Sequence, residues 1–339
     1  MLEKPDLPDE HIVACLQKAY ALSVRHISFL PLGADTNTAV YRAVTDAQTP
    51  YFVKLRRGTF DEMSVVLPKA LSDLGIRQII TPLPTNTGQL WTPLDVFMVI
   101  LYPFVEGENG YERPLSDHQW IDLGRALKQI HTAVVPPAIL NRLQRENYDP
   151  QWRNIVKEFL QQIEKDTFHE PIAARLATFL KTKRDQIVEL VARTERLALI
   201  LEPRSLAYIL CHADIHAGNI LLDANNSLYI VDWDTPILAP KERDLMFIGG
   251  ALLGNGRTPQ EEERLFYQGY GQPEIDPVAL AYYRYERIIQ DIASFCQHIF
   301  LTTGADDDRA QSLRYLIGNF APGSVLDVAY QSDRSQQAE

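Results

Sequence analysis

Cysteine is scarce in this chain: of 339 residues only Cys15, Cys211 and Cys296 carry a thiol, and none stands in a C-x-x-C pair. That leaves no disulfide framework and suits a reducing compartment, so a cytoplasmic location is expected. Long apolar runs are also missing. The longest, 96–105 and 197–201, fall far short of the roughly 20 residues that cross a bilayer, and residues 1–10 are polar with no apolar signal core. Neither secretion nor a membrane span is expected. Positive charge is in deficit, 33 Lys and Arg against 44 Asp and Glu, a net charge of −11. A nucleic-acid partner needs a dense basic surface that releases counterions, so none is expected, whereas a small cationic ligand suits the balance. Such acidity also serves plain solubility. G-x-x-x-x-G-K-[ST] and G-x-S-x-G are both absent, which removes a P-loop and a hydrolase nucleophile elbow.

What is present is an ordinary globular composition, 46% hydrophobic and 23% charged, in a chain long enough for two lobes. Apolar spacing predicts a leading helix over 8–22 and short strands over 27–32, 39–44 and 51–55. A helix over 61–74 stops at Gly75, and strands resume over 79–83, 89–91 and 96–102. From 116 onward the period becomes helical: 116–133, 150–163 and 172–199. Loops and short apolar runs interrupt over 208–222 and 228–231, and helices follow over 242–253, 260–270, 277–298 and 310–320. The fold class expected is α+β: a small antiparallel-sheet N-terminal lobe with its leading helix over 1–105, a mainly helical lobe over 106–330, and a frayed tail over 331–339.

The interruption carries the chemistry. It reads Cys211-His212-Ala213-Asp214-Ile215-His216-Ala217-Gly218-Asn219, a short strand, a turn, a second strand, then Asp232-Trp233-Asp234. Phosphoryl transfer needs a carboxylate that positions and deprotonates the accepting hydroxyl, plus an amide oxygen and a second carboxylate to hold metal against the phosphates. Asp214, Asn219 and Asp232 supply one each. The protein-kinase loop H-R-D-x-x-x-x-N has the same spacing, with Asp232 standing where the D-F-G aspartate stands. A zinc site from Cys211, His212 and His216 fares worse, because it lacks the Glu of H-E-x-x-H and Gly218 breaks the helix it needs. His212 reads as a residue that braces the loop.

A kinase also needs a strand lysine for the nucleotide phosphates, and Lys54 in Tyr51-Phe52-Val53-Lys54-Leu55 fits, with Glu62 its expected partner and Asp61 a close neighbour. Gly33, Asp35, Thr36 and Asn37 lie where a phosphate-covering loop belongs, although a hairpin turn explains the segment as well. Tyr102 and Phe104 end a strand at the lobe boundary and offer backbone to an adenine edge, or serve as a connector.

Together these segments, with 240–250 (Pro-Lys-Glu-Arg-Asp-Leu-Met-Phe-Ile-Gly-Gly), resemble the aminoglycoside phosphotransferase family nearly from end to end. The resemblance implies a bilobal protein-kinase-like fold with ATP in the cleft. It implies transfer of the γ-phosphate to a hydroxyl of an aminocyclitol such as spectinomycin, with Asp214 as base and Mg²⁺ on Asn219 and Asp232. The acceptor would be a small cationic molecule. Asp234, Glu242, Tyr285, Glu286 and Asp291 are the expected acidic and aromatic walls, although each also reads as a helix-surface or capping group. A monomer or weak dimer is expected. Two readings stay open beside it: a kinase of another small hydroxylated amine or metabolite of choline, homoserine or sugar-amine type, and a catalytically silent pseudokinase or binding module.

Overall fold

Alternation along residues 38–57 decides how the first unit is built. Ala39, Tyr41 and Ala43 on one strand and Val53 and Leu55 on the next point to a single face, where they are buried with Ile12 and Leu16 of the leading helix. Lys54 and Arg56, one residue out of phase, therefore stand on the other face. The computed structural model describes residues 4–33, 37–249, 257–302 and 306–334.

In chain order these form α1 (Asp9–Tyr20), β1 (Val24–Leu30), β2 (Thr38–Thr45), β3 (Pro50–Arg57), α2 (Met63–Asp73), β4 (Thr92–Leu94), β5 (Phe97–Pro103), β6 (Gly107–Asn109), α3 (Asp117–His131) and α4 (Pro137–Leu140). There follow β7 (Gln144–Arg145), α5 (Gln151–Lys165), α6 (Pro171–Thr182), α7 (Arg184–Leu201), β8 (Ile209–Cys211), a 3₁₀ turn (Ala217–Asn219), β9 (Ile220–Asp223), β10 (Leu228–Ile230) and β11 (Ile237–Ala239). The helices α8 (Glu242–Leu245), α9 (Pro259–Tyr270), α10 (Pro277–Leu301), α11 (Asp306–Gly318) and α12 (Val325–Arg334) complete the chain.

Two compact units result, Met1–Leu143 with Ala217–Pro236, and Gln144–His216 with Ile237–Glu339. The first holds an antiparallel sheet in the order β1-β2-β3-β5-β4 and a smaller antiparallel sheet β10-β9-β6. Gly107 has to be glycine, because a Cβ there would come within 2.4 Å of the Leu222 carbonyl oxygen. The second unit is mainly helical and is organised on α10, which is buried round most of its circumference and packs on α5, α7, α11 and α12. A small sheet β7-β11-β8 lies beside these helices. The fold class is thus α+β, with an antiparallel-sheet N-terminal region and a helical C-terminal region.

Some expected elements differ. The strand expected over 79–83 shrinks to a bridge between Ile79 and Ile230, and residues 85–89 close a turn before β4. The single helix expected over 172–199 breaks at Lys183. There the hydroxyls of Thr178 and Thr182 donate to carbonyls one turn back and loosen the helix end. The helix expected over 242–253 stops at Leu245, and its residues 250–253 lie outside the described residues. Residues 331–334 of the tail continue α12, where Tyr285 Oη and Arg193 Nη1 both donate to Asp333 and so tie the helix to the bundle, and residues 335–339 lie outside the described residues.

Candidate active site

In the first unit, β3 carries Lys54 and the stretch after β10 carries Asp232 and Asp234. The Lys54 ammonium donates to Asp232 Oδ1 at 3.0 Å and to both oxygens of Asp234 at 2.9 Å, and Arg56 donates to Asp234 as well. Burial works against the Lys54 charge, but the two carboxylates outweigh it and hold its pKa above the ordinary lysine value. Burial, with Asp232 as a like-charged neighbour, pushes the Asp234 carboxyl up despite Lys54 and Arg56. Asp232 has a φ of 64°, the left-handed region, and the buried Trp233 beside it is fixed by its indole N–H donating to the Ile230 carbonyl at 3.1 Å. Asn219 is buried at the end of the 3₁₀ turn, and its backbone carbonyl accepts from the Val231 N–H at 3.0 Å. Asn219, just before β9, and Asp232, just after β10, thus flank the β9–β10 pairing.

The second unit carries Asp214. The segment after β8 is pinned by the fully buried Asp244, whose carboxylate accepts from the N–H groups of His212 at 2.9 Å and Ala213 at 2.6 Å. Those bonds hold Ala213 at a φ of 72°, a conformation of the kind stored at functional sites. The Asp214 N–H donates to His212 Nδ1 at 3.3 Å, so His212 does brace the loop. Arg287, from α10, donates to Asp214 Oδ1, and His216 Nε2 lies 3.7 Å from Oδ2. Burial raises the Asp214 pKa, but Arg287 and His216 prevail and hold the carboxyl below its usual range.

The sequence-based assignments divide. Lys54, Asp232 and Asp234 meet, although Asp234 faces Lys54 and Arg56 rather than standing as an acceptor wall. Glu62 does not pair with Lys54: its carboxylate takes Arg142 at 2.8 Å, on the surface, while Asp232 and Asp234 fill the lysine's coordination. Gly33 has a φ of 84° and Asn37 accepts at its carbonyl from Arg57, whereas Asp35 and Thr36 lie outside the described residues. Tyr102 and Phe104 form an aromatic group with Phe52, at 6.3 and 6.5 Å between ring centres, and the Arg42 guanidinium lies over Phe104.

Three expected acceptor residues are internal instead. Glu242 is buried against Lys241 and the Asp276 N–H, Tyr285 is buried against Asp333, and Glu286 is buried 3.3 Å from Arg153. Tyr285 and Glu286 are internal because α10 is the central helix and not a surface one, and Glu242 is buried on α8, which packs on α10. Asp291 pairs with Arg287 at 3.1 Å. Sequence reasoning passed over Arg56, Arg142, Arg287 and the pinning role of Asp244; the one available signal was Arg287 and Asp291 at i, i+4 on a largely apolar helix.

Residues 28–280 match the phosphotransferase enzyme family. The chain belongs to that family. Over 97% of this phosphotransferase and 99% of the other chain it is 38% identical, with a TM-score of 0.88, to spectinomycin phosphotransferase solved with ADP and spectinomycin. The AMP-bound form of spectinomycin phosphotransferase is 37% identical over 95% and 98% of the two chains, with a TM-score of 0.85. Choline kinase from Streptococcus pneumoniae, 14% identical over 91% and 97% at a TM-score of 0.53, shares the fold. No curated protein matches the phosphotransferase significantly. Among the described residues no helix is long and apolar enough to cross a membrane.

Proposed function

We propose that this phosphotransferase moves the γ-phosphate of ATP to a hydroxyl of an aminocyclitol of the spectinomycin type. The observation that carries the reading is the 38% identity, sustained over nearly both whole chains, to an enzyme solved with ADP and spectinomycin. The H-x-D-x-x-x-x-N spacing and Asp232 support it independently.

In this reading Lys54 holds the nucleotide phosphates, Gly33, Asp35, Thr36 and Asn37 cover them, and Tyr102 and Phe104 flank the adenine. Asn219 and Asp232 would hold Mg²⁺. An amide oxygen and a carboxylate are the hard donors that ion takes, and Asp232 already faces a cation in Lys54. When bound, the ion would neutralise charge on the phosphates. Asp214 accepts the proton of the acceptor hydroxyl as the hydroxyl oxygen bonds to the γ-phosphorus. The bond from that phosphorus to the bridging oxygen breaks, and its electron pair leaves on ADP. A carboxylate held this acidic is a weak base, so Asp214 acts chiefly by orienting the hydroxyl and takes the proton late, as a loose transition state allows. The excess of acidic residues suits a cationic acceptor and no nucleic acid, and the enzyme works in the cytoplasm as a monomer or weak dimer.

The test is Mg²⁺-dependent ADP release from ATP with spectinomycin, other aminoglycosides, choline and homoserine offered in turn. Stimulation by spectinomycin supports the reading. Stimulation by choline or homoserine alone keeps the mechanism and replaces the substrate, and no stimulation with intact ATP binding favours a silent binding module.

A further inference from the structure

Arg287 has a role that the phosphate-side chemistry does not use. Its guanidinium is held from three directions inside the second unit. Nη1 donates to Asp214 Oδ1, Nε donates to Asp291 Oδ1 at 3.1 Å, and the group lies over the Phe247 ring, 5.7 Å from its centre. Asp291 is held in turn, since Asn319 at the end of α11 donates from Nδ2 to its other oxygen at 3.1 Å. The i, i+4 spacing on α10 sets the Arg287–Asp291 pair, so the fork is aimed before any ligand arrives. Asn319, Asp291, Arg287 and Asp214 therefore make one braced line from a helix end to the catalytic loop.

We propose that Arg287 is the positioning residue for Asp214: by anchoring Oδ1 it fixes the plane of the carboxylate, and with it the direction in which Oδ2 meets the acceptor hydroxyl. This rests on Asp214 being the base. A carboxylate held on one oxygen by a rigid fork loses its freedom to rotate about χ2, and a misplacement of about 1 Å is enough to cost on the order of 100-fold in rate. The charged groups facing Asp214 include Arg287 and Asp291 from α10 and His212 and His216 from its own loop. Arg287 lies nearest of these, and its removal also returns the carboxyl toward the ordinary value near 4.

The experiment compares Arg287→Met, Arg287→Lys and Asp291→Asn in the full chain with ATP, Mg²⁺ and the acceptor that the panel selects. The expected result for Arg287→Met is a kcat lower by about 100-fold with an unchanged KM for ATP, and an acidic limb of the kcat–pH profile displaced upward. Arg287→Lys restores part of kcat, and Asp291→Asn, which keeps the arginine but loosens its brace, lowers kcat by about tenfold. If Arg287→Met does not fold, Asp291→Asn decides in its place. An unchanged kcat, or a fall in kcat with no movement of the limb, overturns the proposal. Carbon NMR titration of Asp214 in the protein without substrates separates the two readings. Failure of Asp214 to titrate higher in Arg287→Met sinks the positioning role alone, whereas an Asp214→Asn enzyme that stays active sinks the base assignment.

Discussion

Asp234 in the first unit and Asp214 in the second are both largely enclosed aspartates facing cations, yet their carboxyls move in opposite directions. Burial raises Asp234, and Asp232 beside it adds a like charge that Lys54 and Arg56 do not cancel. Burial opposes Asp214 as well, but Arg287 and His216 face it, and Asp291 is set behind Arg287. The lesson is that the count and placement of like charges, more than burial, separates a carboxylate whose pKa rises from one kept ionised. The first cluster is arranged to hold a lysine, the second to aim an aspartate.

The contrast breaks most visibly at Asp214. Asp214→Ala is expected to lower kcat by roughly 10²- to 10⁴-fold while ATP binding, read by calorimetry, stays near wild type. Lys54→Ala probes the other cluster and should raise the KM for ATP by about 10- to 100-fold, the worth of a charge-assisted phosphate contact, with a smaller change in the KM for acceptor. If both variants alter the same constant, the division of labour between the clusters fails.

A buried acid whose neighbouring cations do not cancel the effect of burial should behave like Asp234 and not like Asp214. Glu262 is buried, and burial pushes its carboxyl up to about 7 against the Gly249 N–H that it accepts. A raised carboxyl binds its proton more tightly in the folded chain. Its contribution is therefore full below the ordinary glutamate value of 4.5 and lost as pH rises to about 7. Thermal unfolding should show stability falling over that window by at most about 3 kcal/mol from this group, and Glu262→Gln should flatten the fall. An unchanged slope contradicts the assignment. The smallest effect is expected at Glu62, whose exposed pair with Arg142 is worth less than about 1 kcal/mol. Glu62→Gln should leave the KM for ATP within about twofold, and a rise as large as that of Lys54→Ala would restore it as the lysine's partner.

The sheet was legible because Ala39, Tyr41 and Ala43 alternate on one strand against Val53 and Leu55 on the next, which fixes both the register and the face opposite Lys54. The H-x-D-x-x-x-x-N loop was legible because its spacing is short and local. β6 and β11 were not, since a three-residue strand is too brief to show a period, and neither was the break at Lys183, which no glycine or proline announces. Partner choice was the least legible part. Nothing near Lys54 in sequence signals that residues 232 and 234 fill its coordination before Glu62, and nothing in α10 marks Glu286 as internal and Arg287 as turned to the loop. Those facts depend on which helix the fold makes central.

The most direct test of the account is to incubate the enzyme with ATP, Mg²⁺ and spectinomycin and to identify the product by mass spectrometry, with Asp214→Asn run in parallel. The account predicts spectinomycin carrying one added phosphoryl group, formed in step with ADP by the wild type and at least about 100-fold more slowly by the variant. Unmodified spectinomycin, or equal product from both enzymes, would contradict it.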